Sequence, residues 1–333
     1  MGIKAEIKFY NECNGFIICN LCSHFCRLKE GKSGVCEVNM NKNGSLFNKV
    51  YGFPAALNID PVEKKPLYHF LPGSKTFSLG TFGCNMQCPF CQNWHISQYK
   101  NQEFKSEFIS PEKIVSMALK HNCKSISYTY NEPTVFYPYA RDIAILAKEK
   151  NILNVFVTNG IASKEVIEDM SGLIDACNVD LKSSEKNFYT KLLRAPFSVL
   201  ESLKLMKKKK IWLEITTLIV PGENDHPEIL NKIADFISNE LGKETPWHIC
   251  AFHPDFKMLE KTRTPVNSLI TARQIGEKAG LKHIYIGNTN IENPTYCPEC
   301  NTLLIERKGY NVNVLWSETG ICTKCFYNLK GIW

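Results

Sequence analysis

From Thr76 to Asn288 the chain switches repeatedly between the period of a strand and that of a helix, and this limits it to few folds. "TFSLGTFG" (76–83) reads as a buried strand that ends in glycine. "SPEKIVSMALKHN" (110–122) then reads as a helix, with Ser110 as N-cap and Pro111 at the first helical position. Further strands are read in "SISYTY" (125–130), "NVFVTNG" (154–160), "IDACNVDLK" (174–182), "IWLEITTLIVPG" (211–222), "WHICAFHP" (247–254) and "HIYIGN" (283–288). Helical patterns fill the gaps between them. Such alternation means parallel strands with helical crossovers. A (β/α) barrel, full or partial, fits better than an open sheet, because polar residues recur at the strand ends, where barrel sites assemble.

The flanks do not continue this pattern. Residues 1–70 and 291–333 each carry a cysteine cluster and are expected to be small metal-dependent modules around a barrel at 71–290. No apolar leader region is visible at the start, and no apolar run approaches the ~20 residues of a membrane span. The expectation is a soluble, cytoplasmic protein with no membrane partner. The net charge of +7 is too small to argue for nucleic acid by itself.

In a reducing compartment, clustered cysteines read as metal ligands. Cys297, Cys300, Cys322 and Cys325 form two C-x2-C pairs, the spacing of a four-thiolate zinc ribbon. Cys19, Cys22, Cys26 and Cys36 offer four more thiolates, for zinc or for a second iron–sulfur cluster. The central set, Cys84, Cys88 and Cys91, stops at three. Three soft thiolates in a short loop suit a 4Fe–4S cube with one iron left open, and an open position is what a catalytic metal needs.

The C-x3-C-x2-C triplet, with Phe90 before its last cysteine, resembles the radical S-adenosylmethionine superfamily. The segments "YGFPAALNIDPVEKKPLYHFLPGS", "GCNMQCPFCQNWHISQ", "YTYNEPTVF", "VTNG", "VDLK", "EITTLIVPGEND" and "WHICAFHPDFKM" together look like the radical enzyme of the AmmeMemoRadiSam system, a group often labelled pyruvate formate-lyase activating enzyme-like. The resemblance implies a partial (β/α)6 TIM-like barrel with the cysteine loop after its first strand. It implies a 4Fe–4S cluster on Cys84, Cys88 and Cys91 that reductively cleaves S-adenosylmethionine to a 5′-deoxyadenosyl radical, which takes hydrogen from a substrate the sequence does not identify. An electron donor of the flavodoxin or ferredoxin type is implied, and Memo-like and AMMECR1-like proteins are implied as partners.

The same resemblance gives site residues at the strand ends. Asn131 and Glu132 are expected at the methionine amine, the other reading being a capped turn before Pro133. Thr158, Asn159, Asp180 and Lys182 are expected along the ribose and carboxylate of S-adenosylmethionine, the other reading being a rim ion pair between Asp180 and Lys182. Glu214 and Thr216 share one strand face and line the cofactor or substrate space if that face is inward. His253 is expected near the nucleoside. Two departures separate the chain from glycyl-radical activases: Val157 stands where they commonly have aspartate, and no ferredoxin-like cysteine pairs follow the triplet. Activation of a glycyl-radical enzyme is thus an alternative function. An iron–sulfur and zinc protein acting as electron carrier or nucleic-acid-binding module is a second.

Overall fold

Buried runs such as Ser125–Tyr128 and Trp247–Ala251 are covered on both faces, which is the environment of a central parallel strand. The computed structural model describes residues 9–98, 106–316 and 320–333. Residues 1–8, the beginning of the stretch read above as having no leader, lie outside them. One eight-stranded sheet organises the chain, its strands adjacent in sequence order. They are β1 (Ala56–Pro61), β2 (Lys75–Gly80), β3 (Ser125–Tyr128), β4 (Leu153–Thr158), β5 (Ala176–Asp180), β6 (Trp212–Ile219), β7 (Trp247–Ala251) and β8 (Ile284–Gly287). Strands β2 to β8 are parallel, and β1 lies antiparallel on the edge beside β2. Six helices cross between them: α1 (Pro111–Lys120), α2 (Tyr137–Glu149), α3 (Lys164–Met170), α4 (Val199–Lys208), α5 (Pro227–Phe236) and α6 (Val266–Lys278). The fold is therefore six strand–helix units followed by a seventh parallel strand, a partial TIM-like barrel left open between β1 and β8.

Local signals place these elements. Ser110 caps α1 by accepting from the Lys113 amide, with Pro111 next to it, and Ser163 caps α3 through Val166. Among the described residues no helix is long and apolar enough to cross a membrane.

The N-terminal residues form a three-stranded antiparallel sheet (Tyr10–Cys13, Phe16–Cys19, Arg27–Lys29) and a hairpin (Asn39–Lys42, Ser45–Asn48). Ile17, Leu21, Leu28, Val38 and Leu46 of this region join the same apolar core as the barrel strands. Cys22 even forms a β-bridge with Ala162, just beyond β4. The C-terminal residues keep a separate small core of Leu304, Ile305, Trp316 and Leu329. Ile332, near the last residue, exchanges backbone hydrogen bonds with His69 and Leu71.

Candidate active site

Each functional strand end is tied to its neighbours. Leaving β3, Tyr130 adopts φ +71°, an uncommon conformation for an aromatic residue. This bend aims Asn131 back at the loop before the first cysteine. Its amide accepts from the Thr81 N–H at 3.0 Å and donates to the Gly83 carbonyl at 2.8 Å. Gly83 itself has φ +83°, and a Cβ there would lie 2.5 Å from the Cys36 carbonyl oxygen. Only glycine lets the cysteine loop sit so close to the N-terminal region. Beyond β4, the Asn159 side chain donates to Asn85 Oδ1 at 2.7 Å, tying this turn to the same loop.

These elements converge on a cleft of about 450 Å³ at the C-terminal ends of the strands. Cys84, Cys88 and Cys91 line it together with Asn131, Glu132, Thr158, Asn159, Asp180 and Lys182. No three of the central thiols' neighbours crowd together here as zinc ligands would: among the described residues only the C-terminal four sulfurs all fall within 4.8 Å of one another. Thiols set farther apart fit a cube, where each sulfur binds a different iron corner. The donor set thus fits a 4Fe–4S cluster with one corner unclaimed by cysteine. Burial, together with the nearby Cys88 and Glu132, pushes the Cys84 thiol well up when no metal is bound. Burial likewise holds Cys88 at about 12, against the lowering effect of Lys182.

Lys182 supplies the compensating charge. Burial opposes its ammonium, but Asp180 Oδ2 at 2.8 Å and the Cys88 sulfur outweigh it, so the group is held above the usual lysine range. The rim ion pair read as one alternative in the sequence is therefore present, and both partners also face the cleft.

Sequence reasoning missed the rest of the lining. Lys64, Lys65 and Tyr130 stand on one side; Gln92 and Asn93 come from the cysteine loop; Asn288 and Tyr310 close the far side. Asp60 organises the first group: it pairs with Lys65 at 2.7 Å and Lys64 at 3.0 Å and accepts from the Tyr130 hydroxyl at 2.8 Å. Lys65 lies 4.6 Å from the Tyr130 ring centroid. The one signal available was the i, i+4 spacing of Asp60 and Lys64 in "DPVEKK". Asn288 and Tyr310 carried none.

Five expected residues are placed differently. Glu132 lines the cleft, yet its carboxylate is mostly occupied: Oε1 accepts from the Thr134 amide, the Thr134 hydroxyl and the Thr158 hydroxyl, and Oε2 from the Asn159 amide at 2.7 Å. Three donors saturate Oε1 and one meets Oε2, so the capped turn is present and one acceptor position is left on Oε2. Glu214 points inward but is fully buried two residues below Thr216, where it binds the Tyr68 and His69 amides and meets His248 Nε2 at 2.7 Å. Thr216 donates to Asn178 and does not line the cleft. His253 is exposed and bonded to the Pro254 carbonyl, because β7 ends at Ala251 and the chain has already turned outward. Phe90 is buried behind the loop, packed near Phe188 rather than in the cleft.

The C-terminal thiols meet as spaced pairs, Cys297 with Cys325 at 3.4 Å and Cys300 with Cys322 at 3.5 Å. Cys19, Cys22, Cys26 and Cys36 surround a separate enclosed space beneath Thr134 and Val135.

Comparison with known proteins agrees with this geometry. The family model described as the radical SAM superfamily matches residues 79–233, from the end of β2 into α5. The chain is 43% identical over 327 residues to an uncharacterized protein of Methanocaldococcus jannaschii, covering 96% of this chain and 97% of that one. A second protein of that organism, provisionally named a glycyl-radical enzyme activating enzyme, is 24% identical over 62% of this chain and 78% of its own length. The fold matches a radical SAM methyltransferase from Sphaerobacter thermophilus with a TM-score of 0.50 at 15% identity, over 65% of this chain and 67% of the other. The central thiol triplet and the family match together imply a 4Fe–4S cluster and S-adenosylmethionine, and the chain belongs to the radical SAM superfamily.

Proposed function

We propose that the chain is an enzyme that cleaves S-adenosylmethionine reductively and takes a hydrogen atom from a substrate held at the barrel mouth. The observation that carries this reading is the convergence of Cys84, Cys88, Cys91, Asp180 and Lys182 on one cleft at the strand ends. The cube, when bound, supplies one electron to the sulfonium. The chain's own residues do the rest. Lys182 places a cation beside the cluster thiols and within reach of a carboxylate. Asp180, one-third exposed, offers oxygen to hydroxyl groups. Asn131, Glu132 and Asn159 are positioning residues: they hold the loops that carry the thiols.

The open side of the cleft adjoins a second compartment of about 530 Å³, with Asn288 and Tyr310 shared between the two. Arg263 and Lys308 line it against one carboxylate, Glu292, with Arg307 buried behind and bonded to Asn293, Thr295 and Tyr68. The net positive lining favours a substrate with anionic groups. The likeness to the AmmeMemoRadiSam enzyme rests on segments that assemble around this site. In "HPDFKM", Phe256 stacks on Trp94 at 5.2 Å, and the Lys257 amide bonds the Pro89 carbonyl inside the cysteine loop. The four C-terminal thiols are close enough for tetrahedral zinc, whose ~2.3 Å bonds to sulfur set ligands about 3.8 Å apart. Zinc there would hold Tyr310 at the cleft.

The test is anaerobic. Reconstituted, reduced protein mixed with S-adenosylmethionine is expected to release 5′-deoxyadenosine. A yield no greater than that of a Cys84→Ala control would sink the proposal.

A further inference from the structure

The chain carries two four-cysteine sets, and they differ in size. In the C-terminal set all four sulfurs lie within 4.8 Å of one another; among the described residues no three sulfurs of the N-terminal set do. Yet Cys19, Cys22, Cys26 and Cys36 are not scattered. All four line one small enclosed space, together with Asn39, Thr134 and Val135. Zinc would need sulfurs about 3.8 Å apart. A cube needs them farther apart, one at each of four corners. We propose that Cys19, Cys22, Cys26 and Cys36 hold a second 4Fe–4S cluster, closed at all four irons, directly behind the open one.

Three independent features support the site. The Asn39 side-chain amide donates to Cys36 Sγ at 3.5 Å. Donors aimed at thiolates are how proteins stabilise the charge of an iron–sulfur centre. Gly34 makes room for the ligand set: a Cβ there would come within 3.2 Å of Cys26 Sγ. Finally, Asn85 is 2% exposed and its Nδ2 has no partner within hydrogen-bond distance. That nitrogen lies beside Cys22, while Asn85 Oδ1 is 3.9 Å from Cys84 Sγ. A Cys22 thiolate bound to iron, or a sulfide next to it, would give this buried donor a charged acceptor. Asn85 thus stands between the two centres, with Gly83 against the Cys36 carbonyl as a second contact.

Four protein ligands leave no vacant iron, so this centre does not bind S-adenosylmethionine. It differs in kind from the proposed catalytic one, and the two can be tested apart. The protein with Cys84, Cys88 and Cys91 all changed to Ala is reconstituted anaerobically with iron and sulfide. It is expected to keep about four irons and four sulfides per chain, against about eight of each for the unaltered protein. Its reduced EPR signal is expected to be indifferent to S-adenosylmethionine. The reciprocal Cys19→Ser/Cys36→Ser variant is expected to lose about half the iron and keep the signal that S-adenosylmethionine perturbs. Loss of all iron from the central-cysteine variant while its circular dichroism stays native overturns the proposal. So do about two tightly held zincs per chain, one more than the C-terminal set takes, in place of this iron.

Discussion

The Glu132 carboxylate, at the end of β3, accepts the backbone N–H of Asn159, at the end of β4, at 2.7 Å. This bond crosses the mouth of the barrel and fixes the turn whose side chain grips the cysteine loop. Glu132→Gln would set an amide N–H against the Asn159 N–H or turn it toward the donors on Oε1. Hydrogen bonds to charged groups contribute about 1.5–3 kcal/mol, so the variant is expected to lose about 2 kcal/mol in denaturant melts of the metal-free protein. Unchanged stability with weakened S-adenosylmethionine binding would instead make Glu132 a direct ligand.

Lys182 should keep its charge throughout the working range. Its folded pKa is raised despite burial, through Asp180 and Cys88. A raised base contributes stability that is fully present below its unfolded value of about 10.4 and is lost only as pH climbs through the folded value. Binding of S-adenosylmethionine is therefore expected to show no step from Lys182 between about pH 6 and 9. Lys182→Met is expected to weaken that binding by roughly tenfold or more, as loss of a charged hydrogen bond does. Calorimetric titration reads both.

Asp60 behaves in the opposite sense. Burial opposes its charge, but Lys65, Tyr130 and Lys64 prevail and hold the carboxyl well below its usual range. Its contribution is present above about pH 4, the unfolded value, and fades as pH falls toward the folded one. Asp60→Asn should thus be less stable than the unaltered protein at pH 7, with the gap narrowing below about pH 4. A constant gap in urea midpoints across that window would exclude this role.

If the C-terminal set holds the zinc proposed above, Cys322→Ser is expected to release it. The 4.8 Å edge contact between Trp316 and Trp333 depends on that small core, so tryptophan emission should shift to the red. Tyr310 would leave the cleft, and a rise in the apparent KM for substrate is expected, with cluster iron content unaltered.

Much of this arrangement was legible in the chain itself. The Ser110–Pro111 start of α1, the buried strand before Cys84 and the spacing of each cysteine set are local signals, and local signals survive folding. Depth along a strand is not local. Period two correctly turns Glu214 inward, but it cannot distinguish Glu214, bonded to Tyr68 and His69 under the site, from a residue at the mouth. Lys65 and Tyr310 reach the cleft from opposite ends of the sequence, Lys65 after a short 3-10 turn and Tyr310 at the tip of a hairpin, and neither place has a period that aims it there. Asn131 and Glu132 were found, but their duties to Gly83 and Asn159 appear only when the neighbouring strand ends are in view.

The contact between Gly83 and the Cys36 carbonyl bears on how such enzymes can be recombined. The first fifty residues are not a detachable cartridge. A chimera that grafts them onto a relative's barrel inherits a surface shaped for a loop with no side chain at position 83. Exchanging the two parts between homologues requires residues 34–38 and 83–85 to travel as one unit, although the chain separates them by more than forty positions.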